Sequence, residues 1–259
     1  MDQNQNLNQP PVRRRRGIYL LPNLFTTAAL FAGFYAIVAA MNDRFEHAAV
    51  AVFIAMLLDG IDGRVARLTN TQSAFGAEYD SLSDMVSFGL APALVMYEWS
   101  LSSMIDLGWQ WGKLGWLAAF IYTACAALRL ARFNTQIGIA DKRFFQGLPS
   151  PSAAAVLMGM VWVMVDADVK GSALAIPAAI LTVIVGVLMV SNIFYYSFKE
   201  VNFKGKVPFF TILIVVLALS LASIDPPKIL FAIFFGYALS GPLFSGVRRF
   251  RKLGRKKPD

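Results

Sequence analysis

Apolar positions dominate long stretches of this chain, and polar positions gather between them. Eight apolar segments follow one another, at about 18–41, 46–68, 84–102, 113–133, 151–167, 172–196, 208–223 and 228–246. The pattern predicts an all-α, polytopic transmembrane helical bundle of about eight spans. The connections are short, so neighbouring helices are expected to pack as antiparallel pairs. No tandem repeat and no intervening soluble domain interrupts the series, and residues 18–246 read as a single transmembrane domain. Residues 1–17 form a disordered, basic N-terminal segment that opens Asn/Gln/Pro-rich, and residues 247–259 form a basic tail. The first apolar segment follows four arginines, as a signal peptide does. At about 24 residues it is long for a signal core and suits an uncleaved span.

Composition agrees. Apolar residues make up 57% of the 259 and charged residues only 15%, against about 25% in soluble domains. A core of this size cannot hide that surplus, whereas lipid accepts apolar side chains on the outside. The net charge of +8 gathers at the ends, in Arg13–Arg16 and in a tail that includes Arg248, Arg249, Arg251 and Lys252. Beside apolar spans such clusters read as anchors on anionic lipid rather than as a nucleic-acid surface. An eight-span layout with both termini cytoplasmic leaves only Arg44, Lys113, Lys170 and Lys228 of the 24 basic residues in outside loops, as the positive-inside rule requires. The lone Cys125 and the lone His47 exclude an intrachain disulfide, a cysteine-based zinc site and a Ser-His or Cys-His nucleophilic pair.

The second segment is the unusual one. Its apolar part, from His47 to Leu58, gives way to Asp59, Gly60, Ile61, Asp62, Gly63, Arg64, Val65, Ala66 and Arg67. The third mirrors it, with Asp80 and Asp84 just before its apolar run. Spacings of three and four put each pair on one helix face. A hairpin lets the two faces oppose each other at the cytoplasmic edge of the bilayer. Four carboxylates there repel one another and need neutralising by arginine, by protons or by divalent cations. Arg64 and Arg67 are two charges against four. Hard oxygen ligands suit Mg²⁺ or Mn²⁺, and a pair of such ions is a clamp for displacement at phosphorus. A purely structural Asp–Arg network is the plainer reading of the same spacing. Glycines favour a ligand: Gly60, Gly63 and Gly76, with Ala66, leave bare backbone beside the acids, although close helix packing also uses such residues. A transporter would line the membrane depth with acids rather than cluster them at one side.

Residues 59–84 match the pattern D-x2-D-G-x2-A-R-x8-G-x3-D-x3-D at Asp59, Asp62, Gly63, Ala66, Arg67, Gly76, Asp80 and Asp84. This resembles the signature of the CDP-alcohol phosphotransferase family, whose members displace CMP from a CDP-linked lipid or alcohol with a hydroxyl, using divalent metal. The resemblance implies that Asp59, Asp62 and Asp80 bind metal and that Asp84 is a ligand or the general base. It implies that Gly63, Ala66, Arg67 and Gly76 receive the nucleotide, joined by Asn23 and Thr26 of the first span. It further implies a homodimer.

Two other segments, Arg129-Leu130-Ala131-Arg132-Phe133-Asn134 and Gly147-Leu148-Pro149-Ser150-Pro151-Ser152, resemble the phosphatidylserine synthase branch of that family. Guanidinium groups pair well with carboxylates and phosphates, and serine carries a carboxylate that glycerol and inositol lack. Positive-inside anchoring is the plainer reading of the arginines. The resemblance implies CDP-diacylglycerol and L-serine as substrates. It implies that Arg129, Arg132, Asn134 and Ser150 receive serine or phosphate, and that the protein sits in a bacterial cytoplasmic membrane with its site facing the cytoplasm. Glycerol 3-phosphate, inositol and choline are the alternative acceptors.

Overall fold

The computed structural model describes residues 20–69, 71, 73–135, 144–196 and 224–253. Among them lie helices α1 (Leu20–Ala40), α2 (Phe45–Leu68), α3 (Ala74–Asp84), α4 (Ala91–Trp99), α5 (Trp109–Thr135), α6 (Ser150–Asp166), α7 (Ala175–Val190) and α8 (Pro226–Leu253). Two short strands, β1 (Phe144–Gln146) and β2 (Phe194–Tyr196), pair antiparallel. The helical class expected from the apolar pattern holds, with this ribbon as an addition.

Among the described residues four stretches are long and apolar enough to cross a membrane: Pro22–Ala40, Trp109–Thr135, Gly171–Val190 and Pro226–Ser245. Their outward faces carry Phe31, Phe34, Phe120, Ile180 and Ile184, exposed as lipid-facing side chains are. Helix α6 is apolar but only 17 residues long, about 26 Å at 1.5 Å per residue. Helix α2 has 24 residues, and its last turns are polar. The expected segment 84–102 is broken: a π-helical stretch, Met85–Leu90, joins α3 to α4, and a 3₁₀ turn, Leu101–Leu107, follows α4. The expected segment 208–223 and the N-terminal residues 1–17 lie outside the described residues. Helix α8 continues past 246 to Leu253, so the start of the basic tail is helical.

Packing starts from a hairpin. Helices α1 and α2 meet along a seam of small residues, with Ala29, Ala36, Ala39 and Ala40 facing Ala48, Ala51 and Ala55, all buried. Small side chains let two helix backbones approach closely, which is how helices associate when lipid removes the hydrophobic drive. The reversal is tight: Arg44 N–H donates to the Ala39 carbonyl at 2.9 Å, and Asp43 takes φ of 57°, a value that Asp tolerates better than most residues. Helix α6 fills the centre, with Ala153–Val161 almost wholly buried.

The π stretch has a chemical cause at its end. Pro92 has no N–H for the Phe88 carbonyl four residues back. The buried Tyr122 hydroxyl of α5 donates to that carbonyl instead, at 3.0 Å. Ser83 and Ser87 hydroxyls donate to the Thr26 and Ala29 carbonyls, both at 3.1 Å, and so fix the α3–α4 segment on α1. The ribbon does the same for the far side. Gly147 N–H donates to Ile193 O at 2.8 Å and Leu148 N–H to Leu188 O at 3.0 Å. These bonds pin the start of α6 on the end of α7.

At Gly147 φ is +81°, and a Cβ would overlap the Met189 carbonyl oxygen. Gly147→Ala is therefore expected to destabilise the protein by about 2 kcal/mol or more. Gly236→Ala, where a Cβ meets nothing within 4 Å, should leave stability unchanged or slightly raised. Thermal unfolding of the two purified variants in the same detergent checks the contrast.

Candidate functional site

Helix α2 puts Asp59 and Asp62 at its polar end, and α3, capped by Ser73 through the Gly76 N–H, brings Asp80 back against them. One carboxylate oxygen from each of Asp59, Asp62 and Asp80 lies within 4.8 Å of the others. Asp62 is buried, and the Thr26 hydroxyl donates to its Oδ2 at 2.8 Å, with the Pro22 carbonyl as alternative acceptor at 3.2 Å. Asp80 Oδ1 is buried with no hydrogen-bond partner among the described residues. Asp84, one turn further along α3, is electrostatically coupled to Asp59, Asp80 and Arg129. All four aspartates singled out in the sequence are thus one constellation, three of them in direct convergence.

Burial, and then the charges of Asp59 and Asp62, hold the Asp80 carboxyl well above the ordinary carboxylate range. The cluster resists carrying its full negative charge unaided. Arg67 acts on Asp62, but a buried carboxylate oxygen without a partner remains at the centre. Oxygen donors this close, one of them lacking any hydrogen bond, fit a hard divalent cation.

The backbone beside the acids is open. A Cβ on Gly60 would meet nothing within 4 Å, and one on Gly63 would meet only an Arg67 nitrogen, at 3.5 Å. Close packing among the described residues does not explain these glycines. Gly76 lies against Ser73 and Asn23, whose Oδ1 would stand 3.5 Å from an added Cβ. Ala66 is half-buried on the same helix, and Arg67 is exposed. Asn23 therefore sits at the site's edge, whereas Thr26 is directed at Asp62, bracing a carboxylate rather than presenting its hydroxyl outward.

The second cluster adjoins the first. Arg129 Nη1 donates to Ser150 Oγ at 2.7 Å, its Nε is buried without a partner, and its charge couples to Asp84, Tyr122 and Tyr237. Asn134 Nδ2 donates to Ser81 Oγ at 3.0 Å, next to Asp80. Arg132 points elsewhere: its Nη1 donates to the Val190 carbonyl at the end of α7, 3.0 Å away. Arg129 and Ser150 thus bond each other and Asn134 bonds the neighbour of Asp80, while Arg132 bonds a carbonyl at a helix terminus. Sequence reading missed Ser81, Ser83 and Tyr237. The first two were visible as hydroxyls flanking the acids in D-S-L-S-D; Tyr237 carried no signal, being one aromatic among many in α8.

The family model for CDP-alcohol phosphatidyltransferase matches residues 19–188. A Helicobacter pylori (strain ATCC 700392 / 26695) protein named CDP-diacylglycerol–serine O-phosphatidyltransferase is 37% identical over 225 residues, covering 86% of this chain and 89% of the relative. A Methanocaldococcus jannaschii protein of the same name is 34% identical over 190 residues, 73% of this chain and 80% of its own. One from Mycobacterium tuberculosis (strain ATCC 25618 / H37Rv) is 38% identical over 161 residues, 60% of this chain and 53% of its own.

The cluster's chemistry predicts that Mn²⁺ binds the purified protein without substrate. Asp80→Asn should weaken that binding at least tenfold while membrane insertion is retained. Titration followed by electron paramagnetic resonance measures both; equal affinity in the variant would remove Asp80 from the metal site.

Proposed function

This chain belongs to the CDP-alcohol phosphatidyltransferase family, and on that footing we propose that it transfers the phosphatidyl group of CDP-diacylglycerol to the hydroxyl of L-serine, yielding phosphatidylserine and CMP. It is an integral membrane enzyme. The convergence of Asp59, Asp62 and Asp80 within 4.8 Å carries the reading, and the names of its relatives point to serine.

In this reading Asp59, Asp62, Asp80 and Asp84 hold two divalent ions, Mg²⁺ or Mn²⁺. When bound, such ions neutralise charge on the pyrophosphate and on the departing phosphate. The chain supplies the rest. The open strip along Gly60, Gly63 and Ala66, with Asn23, Arg67 and Gly76 at its rim, receives the nucleotide. Thr26 holds Asp62 in orientation from behind. The serine hydroxyl oxygen attacks the phosphorus that bears diacylglycerol. The bond from that phosphorus to the CMP oxygen breaks, and Asp84 takes the hydroxyl proton. Arg129 is the candidate partner of the serine carboxylate, because its buried Nε has an unfilled donor and its Nη1 is fixed on Ser150. Asn134 and Ser81 stand beside the attacking group.

Residues 18–246 form the catalytic domain in this proposal, spanning the bilayer eight times with both termini in the cytoplasm. The site then opens to the cytoplasmic face of a bacterial inner membrane, where serine is available and lipid tails stay in the bilayer. The homodimer that the family implies belongs to the same proposal, and light scattering in detergent tests it.

Purified protein with Mg²⁺ or Mn²⁺ should release CMP from CDP-diacylglycerol only when serine is present, and chelation should stop the reaction. Glycerol 3-phosphate, inositol and choline should not replace serine; CMP release indifferent to serine sinks the proposal. Arg129→Lys should raise the KM for serine about tenfold, with the KM for the lipid donor little changed.

A further inference from the structure

The reaction proposed above leaves the acyl chains of the donor to be placed. A groove of about 630 Å³ opens between α1 and α2 on the surface of the bundle, within the range of cavities that hold small ligands. Its walls include Phe31 on α1 and Val50, Ile54 and Leu58 on α2, and Glu46 and His47 stand at one end. Phe31 and Ile54 are exposed, so the groove is open to the surrounding lipid along its side.

Three features make this more than a furrow filled by bulk lipid. On α2 the lining positions His47, Val50, Ile54 and Leu58 recur at helical spacing, and the next position on that stripe is Asp62. The last lining residue on α2, Leu58, therefore adjoins Asp59 and lies one turn from Asp62, beside the cluster that the proposed function gives to the donor's phosphates. From Leu58 to His47 the helix rises about 16 Å, a distance suited to much of an acyl chain in extended form. At the far end stand the exposed side chains of Glu46 and His47, polar groups that an alkyl chain does not solvate. One end meets the headgroup chemistry, the walls are apolar, and the other end is polar.

We propose that the α1–α2 groove seats one acyl chain of the CDP-linked lipid donor. The inference rests on the reading of the aspartate cluster as the donor's phosphate site. The chain's contacts along Phe31, Val50, Ile54 and Leu58 then bind the donor in proportion to the methylenes buried. A short-chain donor forgoes most of that contact.

The test uses the full-length protein in mixed micelles. A CDP-diacylglycerol with a diazirine in its acyl chains should label peptides of α1 and α2 on irradiation. Unlabelled CDP-diacylglycerol should suppress that labelling, and an equal amount of phosphatidylglycerol should not. Val50→Trp, which fills the groove, should raise the KM for a dipalmitoyl donor about tenfold and for a dioctanoyl donor by twofold or less. Labelling elsewhere, or suppression by both lipids alike, overturns the proposal. So does a change in oligomeric mass of Val50→Trp with unchanged KM values, which assigns the groove to a second copy of the chain. Wild-type CMP release with and without serine is measured alongside. Specific labelling in a protein indifferent to serine leaves the groove standing and removes only the choice of acceptor.

Discussion

Like charges at the edge of a poor dielectric repel strongly, and this molecule gathers four carboxyl groups there. Two unit charges 4 Å apart repel by about 4 kcal/mol at an effective dielectric constant of 20. Asp59, Asp62 and Asp80 come within 4.8 Å, and Asp84 adds its charge from one turn away. Such a cluster persists only if the fold forces it together, and the fold does so from both sides. The alanine seam of α1 and α2 sets the polar end of α2, and the serine hydroxyls of α3 and the π stretch fasten onto α1 carbonyls. The packing of apolar helices supplies the work needed to hold the acids near one another.

Neutralisation is the corollary. Asp62 has the Thr26 hydroxyl and the nearby Arg67, and Asp84 has Arg129 within electrostatic reach. Asp80 keeps a buried oxygen with no partner among the described residues. A network built for stability alone would close that gap with a donor, because leaving a buried acceptor unsatisfied costs about 1–3 kcal/mol. The open glycine strip beside it, where nothing fills the space over Gly60, has the same character: room and unsatisfied charge that stability does not use but a phosphate–metal ligand does.

The clustered acids were legible because helical spacing is a strong local signal. Separations of three and four put Asp59 with Asp62, and Asp80 with Asp84, on common faces whatever surrounds them. The direction of Arg132 was not legible, although it also lies three residues from Arg129. Spacing puts the two on a common face but does not choose the partner of a long side chain, and Arg129 ends on Ser150 while Arg132 ends on the Val190 carbonyl. The ribbon left no trace either: two three-residue strands far apart in sequence pair through tertiary placement rather than through any alternation of their own. The break in the third apolar segment was not read from the sequence. Pro92 lacks a donor, but the carbonyl it leaves open is met by Tyr122 of a distant helix, which no local pattern shows.

The two halves of the site are joined through one guanidinium. Arg129 reaches Asp84 electrostatically on one side and holds Ser150 on the other. Ser150 opens α6 just after Gly147 and Leu148, which the end of α7 grips through backbone bonds that need glycine's left-handed φ. The chain of constraint therefore runs from a backbone crossing at Gly147, through Ser150 and Arg129, to the Asp84 carboxyl. Such an arrangement makes the position of Arg129 depend on the same rigid elements that gather the aspartates. Misplacement of reacting groups by about 1 Å can cost a hundredfold in rate, and a guanidinium fixed on the buried start of α6 keeps its place better than one fixed on a loop.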